Sequence, residues 1–179
     1  LNFEDAVRLV RQRGIIMQEA VPPGEGTMAA MIGLEADRAE ALCHEASAAG
    51  TVELANYNCP GQLVIAGTTG AIHRAVELAK DYGAKRAVLL AVSGPFHSSL
   101  LHPASLRLRE ALDSITIRAA RIPVVANYTA EPETAPEEIR ENLIKQVSGA
   151  VRWQQSVEKM VENGVDTFDC VAPTRIARN

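Results

Sequence analysis

At 179 residues and a net charge of −4, the chain can bury a real core as one domain or two small ones, and its charge gives a nucleic-acid partner no global support. The basic residues are scattered and aromatics make up only 4%, which argues against base stacking; no apolar run approaches membrane-spanning length and no signal peptide is visible. Cys43, Cys59 and Cys170 are odd in number, far apart and without a CxxC pair, so neither a disulfide framework nor a zinc site is suggested and a reducing cytoplasm fits best. The chain starts at Leu1 inside an amphipathic pattern and stops in a polar stub, which reads as a fragment.

Asn2 is placed to cap a helix running to about residue 20, with Glu4 and Asp5 in the first turn where the helix dipole is positive. Phe3, Val7, Leu9, Val10 and Met17 give that helix a broad apolar side. Gly14 interrupts it; a glycine in a helix interior costs about 1 kcal/mol relative to alanine and often marks close approach of another segment or a ligand. Arg13, one step earlier, either aims its planar fork at a carboxylate or is a solvated helix arginine like Arg8 and Arg11. From residue 27 to 92 the pattern becomes strand 28–32, helix 35–49, strands 52–57 and 62–66, helix 71–82 and strand 85–92. This βαββαβ order predicts a ferredoxin-like unit, a small antiparallel sheet with both helices on one face. Asn58-Cys59-Pro60-Gly61 joins its halves as a tight turn. Cys59 is there either as a nucleophile near His97 or as a small turn residue.

The apolar run 86–92 stops at Gly94-Pro95, which leaves His97 on a strand exit, and His102-Pro103 then opens a helix over 103–114. An imidazole on a strand–loop–helix passage is a seat for a general base, the alternative being a loop histidine with no task. Beyond it the pattern predicts a short buried strand at 122–127, a polar loop over 130–136, helices at 137–147 and 153–163, and a last strand at 165–171. Strands alternating with helices imply parallel α/β packing. The small unit, residues 24–92, is thus read as an insert in a larger α/β domain formed by residues 1–23 and 93–179. His44, His73 and His102 form no ligand set with His97, so no metal is expected.

Five separated segments carry a family resemblance: residues 3–10 with Arg13-Gly14 and Met17-Gln18-Glu19-Ala20; Gly26-Thr27-Met28-Ala29-Ala30; Asn56-Tyr57-Asn58-Cys59-Pro60-Gly61-Gln62; Ser93-Gly94-Pro95-Phe96-His97-Ser98; and Val151-Arg152-Trp153 with Ser156-Val157. In order and spacing, over nearly the whole chain, they resemble the malonyl-CoA:acyl carrier protein transacylases of fatty acid synthesis and the related acyltransferase domains of polyketide synthases. The resemblance implies an α/β-hydrolase-like acyltransferase domain with an inserted ferredoxin-like subdomain. It makes His97 the catalytic imidazole that deprotonates a serine and later the carrier's phosphopantetheine thiol. Gln146 matches the position whose backbone carbonyl accepts the other ring N–H, and Arg13 the arginine that grips the malonyl carboxylate. An acetyl group would leave that guanidinium unpaired, a penalty of several kcal/mol. Met17, Met28 and Asn58 resemble pocket-lining positions, although methionines are usually core filler; Phe96 resembles the malonyl-type pattern, its ring crowding an α-methyl branch.

The implied partners are malonyl-CoA as substrate and an acyl carrier protein, with no cofactor. Carriers are acidic, so Arg74, Lys80, Lys85 and Arg86, on or beside the second insert helix, are the expected docking patch or else a solvated face. Departures from the family are equally specific. No Gly-x-Ser-x-Gly elbow occurs in these residues; in the family it lies upstream of the opening helix, as does an oxyanion-hole segment. Cys170-Val171-Ala172-Pro173-Thr174 stands where the family has a Glu-Val-Gly-Pro-Gly-like turn, and Cys59 where it commonly has serine. The leading expectation is an acyltransferase represented by the part that carries base and clamp. The alternatives are a non-catalytic or truncated relative that binds carrier or acyl-CoA, and a Cys59–His97 thiol enzyme.

Overall fold

The computed structural model describes residues 1–169, an α/β arrangement of helices and a small antiparallel sheet. Helix α1 (Phe3–Gln18) is capped as its sequence predicts, the Asn2 side chain accepting from the Asp5 N–H at 2.8 Å. Its buried residues are Leu9, Ile16 and Met17, an i, i+7, i+8 stripe one face wide. The broad apolar side expected of it is therefore split, because Phe3, Val7 and Val10 are exposed.

Strands β1 (Gly26–Ile32), β2 (Val52–Cys59), β3 (Gln62–Thr68) and β4 (Arg86–Leu89) pair antiparallel in the order β2-β3-β1-β4, with helices α2 (Ala36–Ala46) and α3 (Thr69–Leu78) between them in sequence. Side chains alternate across a strand, and here both sets are buried. Ala29, Met31, Leu63 and Ile65 join Leu42 and Ile72 of the two helices in one core, while Met28, Ala55, Val64 and Ala66 form a second cluster with Phe96 and Leu90 packed against it. The second face thus lies against the chain that leaves β4. The β2–β3 hairpin turns at Pro60-Gly61, and Gly61 takes the positive φ of 73° that the tight connection demands.

Helices α4 (His102–Asp113), α5 (Pro136–Ser148) and α6 (Trp153–Glu162) follow. α1, α4 and α5 share a third core built on Leu9, Met17, Leu101, Leu108, Leu112, Ile144 and Val147. Among the described residues this region forms no parallel sheet of the kind expected. The strand expected at 122–127 is reduced to β5 (Val124–Val125), which pairs antiparallel with β6 (Pro132–Glu133). Pro123 and Pro132 supply no N–H to a ladder, and no element among the described residues covers Ile122 or Val124, which are 78% and 53% exposed. Among the described residues the parallel pairing is an isolated bridge between Asn56 and Val151. Residues 165–169 have no strand structure and are exposed where the final strand was expected; residues 170–171 of that strand and the divergent 172–179 lie outside the described residues.

Candidate active site

Three elements meet at His97. The loop after β4 carries it, α1 brings Arg13 to it, and the last turn of α5 brings the Gln146 backbone. A helix leaves its final carbonyls without intrahelical donors, and the Gln146 carbonyl accepts the His97 Nδ1–H at 3.0 Å. Because a carbonyl can only accept, this bond fixes the proton on Nδ1 and leaves the Nε2 lone pair for chemistry. The Gln146 side chain folds the chain back beyond the helix: its Nε2 donates to the Gly149 carbonyl at 2.8 Å and the Ala150 carbonyl at 3.2 Å. Only glycine fits at 149, since a Cβ there would lie 2.5 Å from the Tyr128 ring and 2.9 Å from the Lys145 carbonyl.

His97 itself has φ 60°, a left-handed backbone that costs a non-glycine residue about 1–2 kcal/mol and persists only where its surroundings over-determine it. Burial holds its pKa below the ordinary 6.5; the Gln146 carbonyl opposes that shift and the positive charge of Arg13 reinforces it. The imidazole is thus neutral near pH 7 and able to take a proton on Nε2.

Arg13 differs from its neighbours on α1. Arg8 pairs with Glu4 on the surface and Arg11 is exposed, whereas Arg13 is half-buried. Burial lowers its pKa, yet a guanidinium stays charged, and it takes part in none of the ion pairs among the described residues. A cation partly withdrawn from water without a counter-charge suits an anionic ligand group. Gly14, by contrast, has open space where a Cβ would stand, so no close approach within the described residues requires it.

The remaining predicted positions divide. Phe96 packs against both the α1/α4/α5 core and the cluster under the sheet, Met17 belongs to the first and Met28 to the second. Both methionines are over nine-tenths buried, so they act as packing side chains whatever else they border. Asn58 is exposed near the end of β2 and hydrogen-bonds to none of His97, Arg13 and Gln146. Cys59 closes the β2–β3 hairpin opposite Gln62, with no hydrogen bond to His97. Arg74, Lys80, Lys85 and Arg86 are all exposed. Because α3 ends at Leu78 rather than 82, only Arg74 is on the helix, where it pairs with Glu77 at 3.2 Å; Lys80 and Lys85 lie in the turn that leads to Arg86 on β4. A cleft of about 480 Å³ opens beside the site between Gln18, Thr27, His73, Leu90 and Ser93, but neither His97 nor Arg13 lines it.

Two contacts had no signal in the sequence. Val151 bridges to β2, with the Tyr57 N–H donating to the Val151 carbonyl at 2.9 Å and the Val151 N–H to the Ala55 carbonyl at 2.8 Å. Glu53, also on β2, accepts from Ser99 two residues beyond His97. Both are long-range pairings of residues whose local patterns are ordinary.

The chain belongs to the family of the acyl transferase domain, whose model matches residues 1–174. Within it, the chain is 46% identical over 177 residues to the malonyl CoA-acyl carrier protein transacylase of Bacillus subtilis (strain 168), covering 98% of itself and 56% of that protein. The crystal structure of an acyl-carrier-protein S-malonyltransferase from Burkholderia pseudomallei 1710b matches with a TM-score of 0.90 at 49% identity, over 92% of this chain and 54% of that one. A malonyl-transacylase in complex with its type II PKS acyl-carrier protein matches with a TM-score of 0.89 at 42% identity, over 92% and 53%. The chain spans about half the length of the curated relatives it matches.

Proposed function

We propose that this chain is part of an enzyme that transfers a malonyl group from malonyl-CoA to the phosphopantetheine thiol of an acyl carrier protein, as in fatty acid biosynthesis. The observation that carries the reading is the neutral His97, its Nδ1–H held by the Gln146 carbonyl, under the influence of a half-buried Arg13 that lacks a counter-charge. The nucleophile is a serine on a Gly-x-Ser-x-Gly turn outside these residues. His97 Nε2 takes the serine proton as the oxygen attacks the thioester carbonyl, and returns it to the departing CoA sulfur. In the second half the carrier thiol gives its proton to Nε2 and attacks the serine ester, and the serine oxygen leaves with that proton. No cofactor is needed for either step.

Arg13 binds the malonyl carboxylate through its two-pronged fork. Met17, Met28, Asn58 and Phe96 line the acyl pocket, and the Phe96 ring bars an α-methyl branch. Arg74, Lys80, Lys85 and Arg86 receive the acidic carrier; their common exposure around the α3–β4 turn supports this. Residues 24–92 form a ferredoxin-like subdomain, a reading supported by the βαββαβ order and the β2-β3-β1-β4 sheet. It is set into an α/β-hydrolase-like domain to which residues 1–23 and 93 onward contribute. The free thiols of Cys43 and Cys59 suit a reducing cytoplasm.

The test is intact-protein mass spectrometry of the natural full-length protein after incubation with malonyl-CoA. One malonyl adduct that passes to a holo carrier protein is the expected result. Acyl-CoA binding with no adduct would replace the transferase by a binding-only relative, and an adduct on Cys59 would replace the serine mechanism by a thiol one.

A further inference from the structure

We infer that Glu53 is a positioning residue for His97: from β2 its carboxylate clamps Ser99 and so holds the turn at His97 in register with the Gln146 carbonyl. The inference rests on the reading of His97 as the base. Ser99 donates twice to the one carboxylate, its N–H to Oε2 at 2.8 Å and its hydroxyl to Oε1 at 2.7 Å. The residue clamped is the first of the 3₁₀ turn Ser99–Leu101 that leads into α4, and the turn has no side-chain cap of its own. Ser98, which stands at the cap position, is fully buried and donates its hydroxyl to the Pro95 carbonyl at 2.7 Å instead. The amide that opens the turn has no acceptor within the turn and would otherwise be left to water; a carboxylate brought in from 46 residues away holds it with charge-assisted bonds.

The middle of the same strand holds the other half of the site. The backbones of Ala55 and Tyr57 bond to Val151, and the two residues before Val151 are held by the Gln146 side chain. One strand therefore grips both sides of the His97–Gln146 hydrogen bond, the donor side through Glu53 and the acceptor side through Ala55 and Tyr57. Glu53 and Ala55 are about 7 Å apart along an extended chain, so β2 acts as a short ruler between the two loops. This matters because His97 is left-handed without being glycine. Such a backbone relaxes when a restraint is removed.

Glu53 acts on Ser99 and not on the imidazole; the charged group that shifts the His97 ring is Arg13, from α1. Loss of the clamp lets water reach the ring and weakens the burial that depresses its titration. In the natural full-length protein, Glu53→Ala is expected to lower kcat for malonyl transfer by about 100-fold, the scale of an angstrom-sized misplacement of a catalytic group. It should also move the His97 titration midpoint, followed by imidazole NMR, upward toward 6.5. Glu53→Gln should restore most of both, since its amide oxygen still accepts the Ser99 N–H and its NH₂ can donate to the hydroxyl. Glu53→Leu keeps bulk on the strand but removes the acceptors, and takes the place of the alanine variant where that variant fails to fold.

A purely structural role would reduce the folded fraction while leaving the midpoint and the kcat per folded molecule at wild-type values; that result overturns the inference. The function has its own control. If the wild-type protein takes up no malonyl group yet Glu53→Ala still moves the His97 midpoint, the transferase reading falls and the clamp stands.

Discussion

Replacing Arg13 with alanine in the natural full-length protein removes the one group expected to distinguish a malonyl from an acetyl thioester. Two unit charges at 4 Å interact by about 4 kcal/mol at an effective dielectric constant of 20. Arg13 is half-buried rather than enclosed, so water screens part of that attraction and about 2–3 kcal/mol remains for the carboxylate. At 1.36 kcal/mol per tenfold, kcat/KM for malonyl-CoA should fall by about 30- to 150-fold. Acetyl-CoA, which never used the pair, should hold its rate or gain, because it no longer strands a guanidinium in the pocket. The assay is single-turnover acylation with each thioester, read by intact mass, so that carrier binding does not enter. An equal fall for both substrates, or an unchanged ratio, would refute the clamp and return Arg13 to a role in packing.

The pH dependence follows from the direction of the His97 shift. Its folded pKa lies below 6.5, so the neutral base persists as pH falls through 6.5 and the transfer rate should decline only below that value. Stability has the same sign. The unfolded chain binds a proton near 6.5 before the folded one does, so the unfolding free energy is greatest above 6.5 and decreases as pH drops toward the folded pKa, measurable by denaturant titration across that window. Arg13→Ala should move the acid limb of the rate profile upward, because the positive charge that opposes protonation is gone. Charge reversal at Lys85 and Arg86 should raise the KM for carrier protein while malonyl loading is unchanged; equal loss of both steps would remove the docking patch.

What the sequence made readable was local and periodic. The α1 cap, the βαββαβ order and the Pro60-Gly61 hairpin all follow from signals a few residues long, whereas the strand before His97, expected over 85–92, ends at Leu89, ahead of the Gly94-Pro95 break. Gln146 was reachable only through family resemblance, since it acts through a backbone carbonyl, which every residue has. The left-handed turn at His97 had no glycine to announce it. Residues 122–127 misled because apolar composition resembles burial, whereas Ile122 and Val124 are exposed and their pairing is two residues long. The Glu53–Ser99 clamp links a strand and a loop 46 residues apart, a separation over which neither periodicity nor turn chemistry carries information.

Phe96 occupies the seam where two separately packed cores touch. With the proposed role of Phe96 in the acyl pocket, a side chain in that place would couple substrate choice to structural integrity. Trimming the ring to admit a branched acyl group would remove contacts from the α1/α4/α5 helices and from the underside of the sheet together, and large-to-small changes of this kind cost about 3–5 kcal/mol when the site is fully packed. Phe96 is only partly buried, so its own figure is smaller, yet both cores feel it. Lineages that broaden their acyl range at this position are therefore expected to carry compensating bulk near Met17 or Met28, one from each core, and attempts to redirect the enzyme by a single exchange at 96 should lose yield of folded protein before they gain a new substrate.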